Sequence, residues 1–202
     1  MNQFERLELL IKDKINEIYN KSVLVIGLGG VGSYTVEALI RSGIQDITIV
    51  DNDTISITNL NRQLMTYQNN IGEFKTDEIE KRILSINPKC KITKINQFIT
   101  LDNINELFNR DYDYIVDACD TITVKLELIR ISKRKNIKLI SCMGTGNKMD
   151  PSRLKIMDVR KTSYDPIAKI IRKMVKDEKI KGKVMVDCSD EVAKVKIKKE
   201  IP

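Results

Sequence analysis

The stretch VLVIGLGGVGSYTVEAL, residues 23–39, restricts the fold of this chain more than any other part of the sequence. Gly27, Gly29 and Gly32 follow a run of Val, Leu and Ile and precede residues at helical spacing. Glycines at G-x-G-x-x-G spacing let the chain turn tightly after a strand, approach a phosphate and present helix N-terminal amides. Asp51 ends the next predicted strand, near the offset typical of an acidic residue that binds ribose hydroxyls. The stretch predicts a nucleotide site, and alone it fits NAD as well as ATP.

Short runs rich in Ile and Val alternate with segments of helical periodicity. This alternation predicts the α/β class, with a Rossmann-like, doubly wound and mainly parallel sheet, because parallel strands need right-handed helical crossovers. The predicted strands are Ser22–Ile26, Asp46–Val50, Lys91–Ile95, Asp113–Ala118 and Ile137–Cys142. The predicted helices are a leading N-terminal helix over Phe4–Tyr19, then Val31–Ser42, Glu73–Ser85, Asp102–Asn109 and Thr121–Lys135.

The pattern changes after residue 150, which divides the sequence into a nucleotide-binding domain over 1–150 and a small C-terminal appendage over 151–202. The elements predicted in the appendage are a strand over Arg153–Val159, a helix over Pro166–Lys176 and a strand over Lys183–Val186. Residues 1–150 carry 20 Lys and Arg against 20 Asp and Glu, whereas residues 151–202 carry 15 against 8. A basic appendage indicates a polyanionic partner larger than a nucleotide. A solvated, lysine-rich surface is the alternative.

Composition excludes several kinds of site. The chain has no histidine, which rules out an imidazole base, a His-ligated metal or a Ser-His-Asp triad. Its four cysteines lie far apart without a C-x-x-C pair, so neither a tetrahedral zinc site nor a redox dithiol is expected. No leader and no apolar run near ~20 residues occurs, and we therefore expect a cytoplasmic protein without a membrane segment.

A polar run, DNDTISITNLNRQ, follows directly from Asp51. Together with the GLGGVG turn, Lys75 on the next helix and Asp120 after the fourth strand, it resembles the adenylating family of ubiquitin-activating, molybdopterin-synthase and thiamine-pathway enzymes. The resemblance implies ATP and Mg²⁺ as cofactors and a homodimer. The ATP-binding residues that it implies are Gly27, Gly29, Gly30, Gly32, Asp51, Asp53, Asn59, Asn61, Arg62 and Lys75.

The same resemblance implies four catalytic residues: Arg6, Arg62, Lys75 and Asp120. Arg62 and Lys75 would stabilise charge on the transferring phosphoryl group and the departing pyrophosphate. Asp120 would hold magnesium, its alternative being an N-cap for the helix that follows. Arg6 would reach the partner's ATP across the dimer interface. For Lys75 and Arg6 the alternative is a solvated surface residue.

A second run, MGTGNKMDPSRLKIMDVRKTSYDPIAK, resembles one branch of that family, the tRNA threonylcarbamoyladenosine dehydratases. The matching residues are Gly144, Gly146, Asp150, Pro151, Asp158, Lys161, Thr162, Asp165, Pro166 and Ala168. The branch implies adenylation of the threonyl carboxylate next to the tRNA anticodon, followed by ring closure by the adjacent carbamoyl group. AMP and pyrophosphate are the by-products. We expect the tRNA to contact Lys161, Lys169, Arg172, Lys173 and Lys176.

Two other functions are alternatives to this interpretation. The first is an adenylyltransferase of a ubiquitin-like sulfur carrier, although this chain lacks the two C-x-x-C pairs that are usual in such enzymes. The second is an NAD(P)-linked oxidoreductase. A sulfur-transfer or desulfurase-system protein is a further candidate partner. Cys188 is a candidate thioester cysteine or, as the alternative, a structural thiol. The chain ends at Ile201-Pro202, before a G-S-x-x-F-V-P segment typical of the branch, so we expect either a naturally short protein or a truncated sequence.

Overall fold

The computed structural model describes residues 2–146 and 148–192. The chain forms two compact units, Met1–Lys138 and Leu139–Pro202. A functional division after residue 150, as the sequence pattern suggests, stays a prediction.

The first unit contains four parallel strands: β1 (Ser22–Ile26), β2 (Asp46–Val50), β3 (Lys91–Ile95) and β4 (Tyr114–Asp117). Their order is β3-β2-β1-β4, with Val25 opposite both Ile49 of β2 and Val116 of β4. The chain therefore moves outwards from β1 to β3 and then returns to the other side of β1. Ligands of α/β sheets bind at such a reversal, at the carboxyl ends of the strands.

Five helices belong to this unit: α1 (Glu5–Ile11), α2 (Ile15–Tyr19), α3 (Gly32–Arg41), α4 (Lys75–Ile86) and α5 (Ile122–Arg134). Every predicted helix has a counterpart, but two predictions need correction. The predicted leading N-terminal helix is present, but it is not continuous over Phe4–Tyr19, because a 3₁₀ turn at Lys12–Lys14 separates α1 from α2. Leu9 and Leu10 are 76% and 78% exposed, so burial within this chain does not hold the segment in one continuous helix.

The second correction concerns the predicted helix over Asp102–Asn109, which is a 3₁₀ helix over Ile104–Phe108. Asn103 explains the shorter element. Its side chain accepts a hydrogen bond from the Thr100 backbone N–H at 2.8 Å and donates one to the Phe98 carbonyl at 2.9 Å. An asparagine that bonds to the backbone in this way competes with α-helical hydrogen bonding.

The second unit contains β5 (Lys138–Cys142), β6 (Leu154–Asp158), α6 (Pro166–Asp177) and β7 (Met185–Ser189). β7 lies between the other two strands, parallel to β5 and antiparallel to β6. The last strand starts two residues later than predicted. Seven strands, mostly parallel, with helices between them confirm the predicted Rossmann-like α/β class. Within residues 2–146 and 148–192, no helix is long and apolar enough to cross a membrane.

The glycine turn between β1 and α3 is packed too closely for side chains. Gly27 has φ +89°, and a Cβ there would lie 2.7 Å from the carbonyl oxygen of Ala118. A Cβ on Gly32 would lie only 1.7 Å from the carbonyl oxygen of Gly27. Both neighbours are backbone atoms, which cannot rotate away as a side chain can. These glycines are therefore required by the fold itself.

We expect Gly32→Ala to lower the free energy of unfolding by about 3 kcal/mol or to prevent folding, because the added methyl group overlaps backbone. Gly29→Ala is the matched control, since a Cβ there meets only the Gln63 side chain, at 3.9 Å. Urea unfolding followed by circular dichroism measures both variants. Equal stability of the two would contradict the packing described for this turn.

Candidate functional site

A cleft of about 390 Å³ opens at the carboxyl ends of β1, β2 and β4. The predicted residues that line it are Gly27, Gly29, Gly30, Asp51, Asp53, Asn59, Arg62, Lys75 and Asp120. They come from five separate segments of the first unit. The fold therefore brings together most of the residues that the sequence assigned to a nucleotide.

Arg62 lies over the glycine turn. A Cβ on Gly30 would be 3.4 Å from the Arg62 Cγ, so a glycine lets this side chain approach closely. Its Nη1 donates to the Thr58 carbonyl at 2.8 Å and to Asn61 Oδ1 at 3.0 Å. Neither Nε nor Nη2 has a hydrogen-bond partner in the described part of the chain. The guanidinium is oriented by one nitrogen and can bind an anion with the other two.

Lys75 is the first residue of α4 and is buried. Its Nζ lies 2.6 Å from Asp53 Oδ2 and 4.0 Å from Asp51 Oδ1. Asp51 also accepts the backbone N–H groups of Leu28 at 2.7 Å and Asp53 at 2.8 Å. Burial raises the pKa of the Asp51 carboxyl, whereas the two hydrogen bonds and Lys75 act in the opposite direction. The surface-lysine alternative is therefore wrong for Lys75, which is a buried, paired cation beside the cleft.

Asp120 is exposed at the edge of the cleft. Thr121, not Asp120, is the N-cap residue of α5, and no side chain caps this helix. The N-cap alternative for Asp120 is thus wrong. Its carboxylate has no hydrogen bond or ion pair with any residue that the structure describes. It is available to a ligand.

Three predicted residues lie outside the cleft lining. Gly32 is buried behind the glycine turn, where its role is the close packing described above. Asn61 accepts a hydrogen bond from Arg62 and so positions the guanidinium. Arg6 is exposed on α1 and lines no part of the cleft of its own chain.

Gln63 lines the cleft, although the sequence analysis gave it no role beyond its place in the N-L-x-R-Q motif. The side chain is 6% exposed, and its Oε1 is buried without a hydrogen-bond partner among the described residues. An unpartnered buried amide is costly unless a ligand or water satisfies it. The motif was the signal that could have identified this residue. Further lining residues that the sequence analysis missed are Gln97, Phe98, Ile99, Cys119, Thr121 and Val124.

A buried ion pair joins two residues that are each adjacent in the chain to a cleft-lining residue, Ala118 or Val124. Lys125 Nζ of α5 lies 3.1 Å from Asp117 Oδ1 at the end of β4, with side-chain exposures of 1% and 0%. Asp117 also accepts the backbone N–H of Cys119 at 3.3 Å. Burial raises the pKa of the Cys119 thiol, and the Asp117 charge raises it further, so this thiol stays protonated near neutral pH. The pair connects α5 to the loop that carries Asp120.

The basic residues predicted to contact tRNA all belong to the second unit. Lys161, Lys169, Lys173 and Lys176 are exposed. Arg172 is half-buried, and its Nη1 donates to the Thr162 carbonyl at 3.0 Å. Arg172 therefore holds the segment before α6, a role that its positive charge alone did not indicate.

Cys188, the candidate thioester cysteine, is buried within β7. Burial raises the pKa of its thiol to about 11. A buried, protonated thiol is a poor nucleophile. Cys188 is therefore a structural thiol, which was the alternative to a thioester cysteine.

The ThiF family matches residues 2–191. The chain therefore belongs to the ThiF family. Within the family it is similar to tRNA threonylcarbamoyladenosine dehydratases. That of Bacillus subtilis is 42% identical over 205 residues, which cover 100% of this chain and 81% of the relative. That of Escherichia coli is 38% identical over 171 residues, 82% of this chain and 64% of the relative.

A solved structure of the same kind of enzyme is also similar to this chain. The crystal structure of the E. coli tRNA N6-threonylcarbamoyladenosine dehydratase in complex with ATP has a TM-score of 0.88 and 34% sequence identity. The similarity covers 95% of this chain and 82% of that structure. The chain thus falls in the branch that its second motif run indicated.

We expect Lys125→Met to lower the free energy of unfolding by about 3 kcal/mol, because it leaves the buried Asp117 carboxylate without its cation. Lys21→Met is the control: Lys21 pairs with Asp113 at 2.8 Å, but both side chains are more than a third exposed. Loss of such a pair costs less than about 1 kcal/mol. Urea titrations of both variants measure the difference, and equal losses would show that burial does not strengthen the Lys125 pair.

Proposed function

We propose that this chain uses ATP to dehydrate threonylcarbamoyladenosine in tRNA, forming a cyclised nucleoside next to the anticodon. The observation that carries the proposal is the convergence of Arg62, Lys75, Asp120 and the glycine turn on one cleft. The similar proteins of Bacillus subtilis and Escherichia coli carry this activity in their names. The sequence-based prediction of the reaction thus agrees with the family and with the site.

The proposed reaction has two steps. In the first, an oxygen of the threonyl carboxylate bonds to the α-phosphorus of ATP, and the bond to the bridging oxygen breaks to release pyrophosphate. In the second, the adjacent carbamoyl group attacks the acyl carbon and AMP leaves, so that the nucleoside loses one water in total. The attack is intramolecular, and positioning can supply the rate without an enzyme nucleophile. This agrees with a chain that has no histidine and whose candidate Cys188 is buried.

Two cations of the cleft fit the first step. Negative charge grows on the phosphoryl group and on pyrophosphate, and fixed donors aimed at it lower the barrier. Arg62 has Nε and Nη2 to offer, and Lys75 can exchange its Asp53 partner for a phosphate oxygen. Gln63 supplies a carboxamide whose Oε1 lacks a partner within the described chain.

Asp120 fits a magnesium ion bound together with the nucleotide. No group of three or more metal-ligating side chains occurs in residues 2–146 and 148–192. Mg²⁺ is commonly held by one or two carboxylates plus substrate phosphates and water, which a single exposed carboxylate at the cleft edge can satisfy. When bound, the ion would offset the charge of the phosphates.

Arg6 and a homodimer belong to the same proposal. Arg6 lies on α1, whose Leu9 and Leu10 are largely exposed, and exposed leucines on one short helix suit a contact with a second copy. A tRNA substrate agrees with a cytoplasmic location, as do four free cysteines. A sulfur-transfer or desulfurase-system partner stays a prediction from the sequence alone. Neither rival function is proposed, since no described feature favours a sulfur carrier or a nicotinamide.

The test is incubation with ATP, Mg²⁺ and tRNA that bears threonylcarbamoyladenosine, with mass spectrometry of the nucleosides and measurement of AMP. We expect AMP and a nucleoside lighter by one water. Arg62→Ala and Asp120→Ala should each reduce turnover on the order of 100-fold or more, consistent with the loss of one preorganised charge, ~3 kcal/mol of barrier. Unchanged tRNA with the wild-type protein would overturn the proposal.

Controls for these two variants come from charges outside the cleft. Arg41→Ala and Asp102→Ala remove exposed side chains that do not line it and should keep wild-type turnover. Thermal unfolding is the check that all four variants are folded. Full turnover by either cleft variant would remove that residue from the mechanism.

The exposed lysines of α6 give a separate prediction about tRNA. The double variant Lys169→Gln/Lys173→Gln should weaken tRNA binding and reduce the slope of log K against log salt by roughly 1.4 to 1.8, as expected for two lost phosphate contacts. Arg153→Gln/Lys155→Gln is the matched control, because both residues already pair with Asp190, at 2.7 and 3.3 Å. Equal effects of the two double variants on the slope would contradict a specific role for α6.

A further inference from the structure

Tyr164 is an exposed aromatic residue with an unfavourable backbone conformation. Its side chain is 70% exposed, and its φ is +58°, in the left-handed region. Bulky residues rarely adopt this region, whereas Asn and Gly adopt it readily. Neither packing nor a hydrogen bond within the described chain accounts for a tyrosine at this position.

The turn that carries Tyr164 is fixed on both sides. On one side, Arg172 holds the carbonyl and the hydroxyl of Thr162. On the other, the buried Asp165 accepts the backbone N–H of Ala168 at 2.8 Å and lies 3.4 Å from Lys148 Nζ. The backbone is thus held by its neighbours, and the ring is presented outwards on a rigid turn.

Several lysines lie near Tyr164 in the sequence. Three acidic residues of the second unit, Asp158, Asp165 and Asp190, pair with other basic residues, namely Arg160, Lys148, Arg153 and Lys155. Asp177 lies one turn of α6 from Lys173 without forming an ion pair with it. In contrast, Lys161, Lys169 and Lys173 have no ion-pair partner in the part of the chain that the structure describes. Lys169 and Lys173 are four residues apart in α6 and therefore share one face of the helix.

We infer that Tyr164 stacks on an unpaired base of an RNA strand whose phosphates contact Lys161, Lys169 and Lys173; this inference rests on the proposed function. Proteins recognise single-stranded RNA by stacking unpaired bases on aromatic rings while cations bind the backbone. An acidic protein segment would use the same lysines but has no need of an exposed ring. The combination of an exposed aromatic residue between two anchored neighbours and cations without an ion pair favours RNA.

Fluorescence anisotropy with an anticodon stem-loop oligonucleotide tests this inference on the full chain. Tyr164→Asn should weaken binding roughly 5- to 100-fold, the range for loss of one stacked base. The slope of log K against log salt should not change, because no phosphate contact is lost. Tyr164→Phe, which keeps the ring, should bind like the wild type.

The melting temperature separates a binding role from a structural one. Asn tolerates positive φ, so Tyr164→Asn should melt at or above the wild-type temperature while it binds RNA less well. An affinity within twofold of wild type, or a marked loss of stability, would overturn the inference. Polyglutamate can be used to displace the oligonucleotide. If Tyr164→Asn weakens polyglutamate binding as much as it weakens RNA binding, the inference is also overturned, because the partner would then be an acidic protein.

The outcome is independent of the dehydration assay. If the wild-type protein binds the stem-loop through Tyr164 but releases no AMP and no dehydrated nucleoside, the proposed function fails and the RNA surface stands. If the wild-type protein dehydrates tRNA while Tyr164→Asn binds normally, the surface assignment fails and the function stands.

Discussion

The close packing of the turn after β1 is the constraint on which the rest of the first unit depends. Gly32 fits against the carbonyl oxygen of Gly27, and Gly27 fits against the backbone of Ala118 at the end of β4. These contacts fix where α3 begins and bring the ends of β1 and β4 together. Because Gly29 and Gly30 lie between them, the same packing exposes their backbone to the cleft. A side chain at either contact point would separate the two strands that form the site.

Two ion pairs accompany this turn in the first unit. Lys125 neutralises Asp117 beneath the cleft, and Lys75 is held by Asp53 at its side. The two pairs differ in burial, since Asp117 is fully buried and Asp53 is more than half exposed. Breaking the buried pair is expensive in a medium of low dielectric, so it supports the loop permanently. The more exposed pair can exchange one anion for another at little cost, which suits a residue that meets phosphate.

The second unit uses its aspartates in a different way. Asp150, Asp158 and Asp165 each accept a backbone N–H at the start of a helix or helical turn, from Ser152, Arg160 and Ala168 respectively. These aspartates belong to the motif run that indicated the branch. The run therefore encodes caps that fix the segments before and after β6. The capping also presents Tyr164 and the lysines of α6 on a defined surface.

The sequence by itself determined the fold class, the strand positions to within three residues and most of the cleft. It could do so because alternating periodicities define a parallel sheet, and residues that follow its strands meet at one edge. Only the tertiary structure decided that Asn61 orients Arg62 instead of lining the cleft, that Arg172 binds Thr162, and that the leading helix is interrupted. It also revealed the unpartnered Gln63 oxygen and the Lys125 pair. Local spacing places a residue on an element, whereas its partner is chosen by the packing of segments far apart in the chain.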